Sequence, residues 1–206
     1  MRSLSPDLKQ FMLRFLVVAG LGILAGFLRW GSLIFISRTM SFQFTQISLT
    51  AGLAYALFKR TPMLNSFLIL FFWFLVFTAL EAFGNRWMYV LNLTYIAGIS
   101  FAIWVYLYLL GKSVIRTAIQ RVACLTVAFG IVNTLHVIVL VLISWRSSNA
   151  QNPHFISEVL NTCWFNFQTG ILIGLAAGVG IEAVDHSLIP RTGAALKSWA
   201  LDANDA

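Results

Sequence analysis

The chain carries six long apolar runs, at about 11–36, 41–58, 64–83, 88–110, 122–145 and 159–183. Most supply the roughly 18–20 apolar residues that a helix needs to cross a hydrocarbon core of about 30 Å. Inside lipid, only helices and closed barrels satisfy every backbone amide internally, and these runs are too long and too continuously apolar for barrel strands. They predict an all-α integral membrane protein, a bundle of about six transmembrane helices. Only 10% of the 206 residues are charged, against about 25% in a soluble domain. No length remains for a separate soluble domain, so residues 1–206 read as one transmembrane unit.

The cations alternate between the connections. Arg2, Lys9 and Arg14, then Lys59 and Arg60, then Lys112, Arg116 and Arg121, then Arg191 and Lys197 fall on one side of a six-span chain. Arg29, Arg38, Arg86 and Arg146 fall on the other. The positive-inside rule places both termini in the cytoplasm, in a plasma or inner membrane, with Trp30, Trp87 and Trp145 at the outer interface. The net charge of +7 is then a topology signal and contact for anionic headgroups, and nucleic acid is not an expected partner. The first run is long and lacks a small-x-small cleavage site, so it reads as a retained helix or an uncleaved anchor. The second run is the weakest, because Gln43, Gln46, Ser48 and Thr50 make its outer half polar. The connection 111–121 reads as a helix end with snorkelling Lys and Arg. A surface helix for a cytoplasmic partner, with Ile115, Ile119 and Val122 on one face, is the alternative.

Polar side chains at membrane depth are costly and mark the places where function concentrates. They gather in the outer halves and middles of the spans. Gln46, Glu81 and Asn92 lie toward the outside; Asn133 and His136 share a face of the fifth run at i, i+3. Thr162, Asn166 and Thr169 share a face of the sixth at i, i+4, i+7. The inner halves of the second, fourth and sixth runs read as apolar. This gradient predicts an outward-facing cavity for a small polar molecule, lined by Gln46, Glu81, Asn92, Asn133, His136, Asn166 and Thr169. A set of interhelical hydrogen bonds with no ligand fits the same residues. Glu81 either pairs with Arg29 or simply reaches the interface.

Gly170, Gly174 and Gly178 repeat every four residues on the sixth run, and Gly22 and Gly26 form a second GxxxG on the first. Small residues at this spacing let helix backbones approach closely, and the first run is the expected neighbour of the sixth. Cys124 and Cys163 lie inside apolar runs without metal or redox spacing. No metal or haem is expected, because His136 lacks partner ligands at its depth. No G-x-S-x-G, H-E-x-x-H or Walker A motif occurs, and paired carboxylates are missing from the runs, so an enzyme is the less favoured class. A membrane enzyme using His136 stands third.

In size, span count and polarity gradient the chain is similar to the substrate-binding membrane subunits of energy-coupling-factor vitamin transporters. The likeness lies in architecture. It implies uptake of a small polar molecule and a cytoplasmic ATPase or another membrane subunit as partner. The rival expectation is a non-catalytic subunit or scaffold of a larger membrane complex.

Overall fold

The computed structural model describes residues 5–30, 38–81, 87–144 and 155–188. They form six helices: α1 (Pro6–Trp30), α2 (Arg38–Arg60), α3 (Met63–Glu81), α4 (Trp87–Gly111), α5 (Ala118–Ser144) and α6 (Phe155–Ile181). A π-helical extension, Glu182–Leu188, continues α6. No strand occurs among the described residues. Four stretches are long and apolar enough to cross a membrane: Pro6–Leu28, Leu93–Gly111, Ala118–Val139 and Phe155–Asp185.

Local chemistry sets the helix starts. Ser5 caps α1, its Oγ accepting from Leu8 N at 3.3 Å, and Pro6 takes the first helical position, where a missing N–H costs nothing. Thr117 and Gln120 form a capping box on α5. Gln120 N donates to Thr117 Oγ1 at 3.2 Å, and Thr117 N donates back to Gln120 Oε1 at 3.1 Å. This box corrects the alternative reading of 111–121 as a surface helix. The segment after Gly111 is a turn with Ser113 at φ 56°, Ile115 is buried, and Ile119 faces outward at 81% exposure.

α2 is the hub. It packs against α1, α3, α4 and α6, and its Ala51, Ala54, Tyr55 and Ala56 have no exposed surface. Neighbouring helices enclose it, which explains how the most polar of the six runs is accommodated. Gln46, Ser48 and Thr50 are all buried in it, and Trp73 Nε1 of α3 donates to Thr50 Oγ1 at 3.3 Å. α3 is the opposite case, a peripheral helix with Leu64, Leu68, Phe71, Phe72 and Leu75 exposed. Large apolar side chains turned outward around a bundle are what a hydrocarbon solvent requires.

The glycine repeat of α6 packs on α5, not on α1 as the sequence led us to expect. A Cβ on Gly174 would lie 2.7 Å from Leu125 O and 2.9 Å from Thr126 Cα; one on Gly178 would lie 3.1 Å from Val122 Cα. One on Gly170 would lie 2.8 Å from both Gly130 Cα and Asn133 Nδ2. α1 meets α6 two residues later, on another face, where a Cβ on Gly180 would sit 3.3 Å from Val18 Cα. Gly22 of α1 faces α2 instead. Gly22 lies against Ser48, with 2.6 Å from its absent Cβ to Ser48 Oγ, and Gly52 of α2 fits against Phe15 O at 2.7 Å. Gly26 is buried in the same helix.

Because the obstacles at Gly174 are backbone atoms of a rigid helix, even one methyl should be too much. Gly174→Ala is expected to lower thermal stability in mild detergent, by about 1–3 kcal/mol for overpacking of this kind. Gly20→Ala, with nothing within 4 Å of the new Cβ, should be neutral or stabilising. Equal stability of both variants would contradict the α5–α6 contact.

Candidate functional site

Two polar layers cross the bundle. The first lies mid-helix. His136 of α5 is 3% exposed, its Nδ1 lies 2.6 Å from Thr94 Oγ1 of α4, and its ring stacks on Tyr95 with centroids 3.6 Å apart. One turn earlier on α5, Asn133 is fully buried against Gly170 of α6, and its Nδ2 donates to Phe129 O at 2.9 Å. Two atoms of this pair, Asn133 Oδ1 and His136 Nε2, have no hydrogen-bond partner among the described residues. A buried polar atom left unpaired costs about 1–3 kcal/mol. Asn133 Oδ1 can only accept. His136 Nε2 donates if Thr94 donates to Nδ1, and accepts if Nδ1 carries the proton.

The sixth helix contributes less than its spacing promised. Thr162 Oγ1 donates to Glu158 O, Asn166 Nδ2 to Thr162 O at 2.9 Å, and Thr169 Oγ1 to Phe165 O at 3.0 Å. Each side chain bonds its own preceding turn, the local alternative always open to Thr and Asn in a helix. Thr169 is buried beside Gly170, whereas Asn166 is half-buried. Asn133 thus meets α6 and His136 meets α4, so the residues expected to share one floor face different neighbours. Gln46 is buried in the hub helix. Glu81 ends α3 and Asn92 lies in the second turn of α4, with both side chains outside the described residues.

The second layer lies where the N-termini of α1 and α5 meet the C-termini of α2 and α6. Arg14 Nε of α1 donates to Asp185 Oδ1 at 2.9 Å, and Lys59 Nζ of α2 lies 3.6 Å from Oδ2. Tyr55 of α2 donates its hydroxyl to the same Oδ2. Three side chains from two helices therefore converge on one carboxylate whose side chain is 6% exposed. Glu182, one residue past α6, is gripped from the other side. Arg121 Nε reaches Oε1 at 2.5 Å and Nη2 reaches Oε2 at 2.7 Å, while Nη1 donates to Arg116 O at 2.5 Å. A bidentate fork of this kind is available to arginine and not to lysine.

The wider winding of the π-helical extension sends Glu182 toward α5 and Asp185 toward α1 and α2, with Val184 fully buried between them. An open groove of 890 Å³ runs between α5 and α6 beside Arg121 and Glu182, lined mainly by apolar groups such as Val122, Leu175 and Val179. Among the described residues no cluster of three His, Cys, Asp or Glu gathers to hold a metal. Sequence reasoning missed Arg14, Tyr55, Arg121, Glu182 and Asp185 as one constellation: Arg14 and Arg121 read as topology signals, Glu182 sat inside the sixth run, and Asp185 lay beyond its end at 183. A signal existed: a chain with seven acidic residues places two of them three apart, where an apolar run reaches the cation-rich side.

No family model, curated protein or solved structure matches this chain. Its chemistry therefore has to be read from the two layers themselves.

The charged layer gives a direct prediction. Asp185→Asn leaves Arg14 and Lys59 without their counter-charge and should destabilise the bundle by about 3–5 kcal/mol. Tyr55→Phe removes one hydrogen bond to a charged group and should cost about 1.5–3 kcal/mol. Thermal unfolding in detergent checks both, and an unchanged midpoint for Asp185→Asn would show that the carboxylate is not held as described.

Proposed function

We propose that the chain is a six-span membrane protein with both termini in the cytoplasm, and that it binds a small polar molecule for transport as the substrate-binding subunit of an uptake system. The observation that carries this reading is the pair Asn133 Oδ1 and His136 Nε2, two buried polar atoms one helical turn apart and without protein partners among the described residues. A ligand that offers a donor to Asn133 Oδ1 or a complementary group to His136 Nε2 would satisfy one of these atoms. The stacked Tyr95 ring and the Thr94 hydroxyl hold the imidazole in one orientation, so the site is preorganised. The gathering of Arg14, Lys59, Arg60, Lys112, Arg116 and Arg121 at one end supports the cytoplasmic assignment of that end.

A second reading, a non-catalytic subunit of a larger membrane complex, is favoured by the self-satisfied polar face of α6 and by the ion pairs that tie α6 to α1 and α5. In that reading the mid-helix groups serve packing alone.

A thermal-shift series on wild type, Asn133→Leu and Asn166→Leu, with a panel of small polar metabolites, separates the two. At least one compound should protect the wild type and Asn166→Leu, and none should protect Asn133→Leu. A wild type protected by no compound, with Asn133→Leu merely less stable, would end the transport reading. Sidedness is tested separately. With Cys124 and Cys163 replaced by Ala, cysteines at Ser113 and Ser148 should label from opposite faces of intact membranes, Ser148 from outside. Labelling of both from one face would remove a span from the proposed six.

A further inference from the structure

A small polar pocket of 250 Å³ opens between the N-terminal turns of α1 and the C-terminal turn of α2. Asp7, Gln10, Phe11 and Arg14 line it from α1 at i, i+3, i+4, i+7, one face of a helix, and Lys59 and Arg60 close it from α2. The Arg60 guanidinium sits over the Phe11 ring, 5.8 Å from its centroid. Arg14 and Lys59 share Asp185 behind the pocket. Three cations therefore face two carboxylates, Asp7 in the lining and Asp185 at the back. Among the described residues Arg14 uses only its Nε in a hydrogen bond, so its Nη groups have no acceptor. Arg60 makes no ion pair among them.

We propose that this pocket binds the phosphate of an anionic phospholipid headgroup. The excess of positive charge and the planar forks of Arg14 and Arg60 match a phosphate, which arginine recognises through paired donors. The place selects a lipid over a soluble anion. Arg14 is the ninth residue of the span Pro6–Leu28, and Met12, Leu13 and Leu16 on the adjoining face of α1 are exposed and apolar, as acyl chains require. The volume accepts a headgroup phosphate, whereas sites for larger metabolites such as nucleotides generally occupy about 300–1,000 Å³. Basic pockets between helix ends at the cytoplasmic face are a recurrent solution for anionic headgroups. The inference rests on the membrane character of the chain and is independent of the mid-helix site.

The test uses the full-length protein purified in mixed micelles of phosphatidylcholine and phosphatidylglycerol, with retained lipid weighed by native mass spectrometry. Wild type should retain phosphatidylglycerol selectively. The double variant Lys59→Gln/Arg60→Gln should lose that selectivity by about tenfold or more, the effect of removing a charge-assisted hydrogen bond to the bound phosphate. Lys9→Gln/Lys112→Gln removes the same charge from the same end but outside the pocket, and should keep the selectivity. If the first double variant does not fold, Arg60→Gln alone should still weaken retention, because Arg60 bears no ion pair among the described residues. Equal retention of both lipids by wild type overturns the proposal. So does an equal loss in both double variants, which would mean diffuse surface charge. Displacement of phosphatidylglycerol by inorganic phosphate would assign the pocket to a soluble anion and overturn it as well.

Discussion

Everything at the charged end depends on two carboxylates placed just beyond a glycine line. Gly170, Gly174 and Gly178 let α6 approach α5 to within a methyl's thickness, and only that approach brings Glu182 into the fork of Arg121. One π-helical step later Asp185 reaches Arg14, Lys59 and Tyr55. Charges this well buried are expensive unless paired, and removing one partner costs far more than the pair contributes. The ion pairs therefore act chiefly as a specification: α6 must lie between α5 and α1, in one register, or two acids are left unpaired at the end of the bundle. Dispersion along the glycine line supplies the adhesion that such pairing alone would not.

The second consequence concerns α2. A helix surrounded by protein can hold Gln46, Ser48 and Thr50 without exposing them to hydrocarbon, and small residues on it, Gly52, Ala51 and Ala54, let its neighbours close in. Apolar demand is shifted outward to α3, whose large side chains face away from the bundle. The weakest run in hydropathy is thus the one most enclosed, and the strongest is peripheral. The same enclosure puts Tyr55 where its hydroxyl can meet Asp185.

The helical class, the six elements and the close-packing glycines of α6 were legible in the sequence, because length, apolarity and a four-residue spacing are one-dimensional properties. Partner choice was not. Gly174 could have faced any helix, and the fact that Thr126 and Leu125 stand opposite it follows from the fold as a whole. Asn166 shows the same limit at the site: its spacing with Thr169 is that of a shared face, yet its amide is satisfied by Thr162 O of its own helix. His136 and Asn133 were recognisable as buried polar residues, but which atoms stay unpaired depends on Thr94 and Gly170, far away in sequence. Asp185 escaped notice because hydropathy counts an acid after an apolar run as an end, whereas here it is a tie.

The most direct test of that tie exchanges the charges of one pair. Arg121→Glu alone should leave two acids facing each other, and Glu182→Arg alone two cations, and each should fail to accumulate as a folded protein in membranes. The combined Arg121→Glu/Glu182→Arg protein should recover much of the wild-type thermal stability, measured in the same detergent, since the pair is restored with its polarity reversed. Single variants as stable as wild type, or a combined variant no better than the worse single one, would contradict the claim that these buried pairs fix α6 in the bundle.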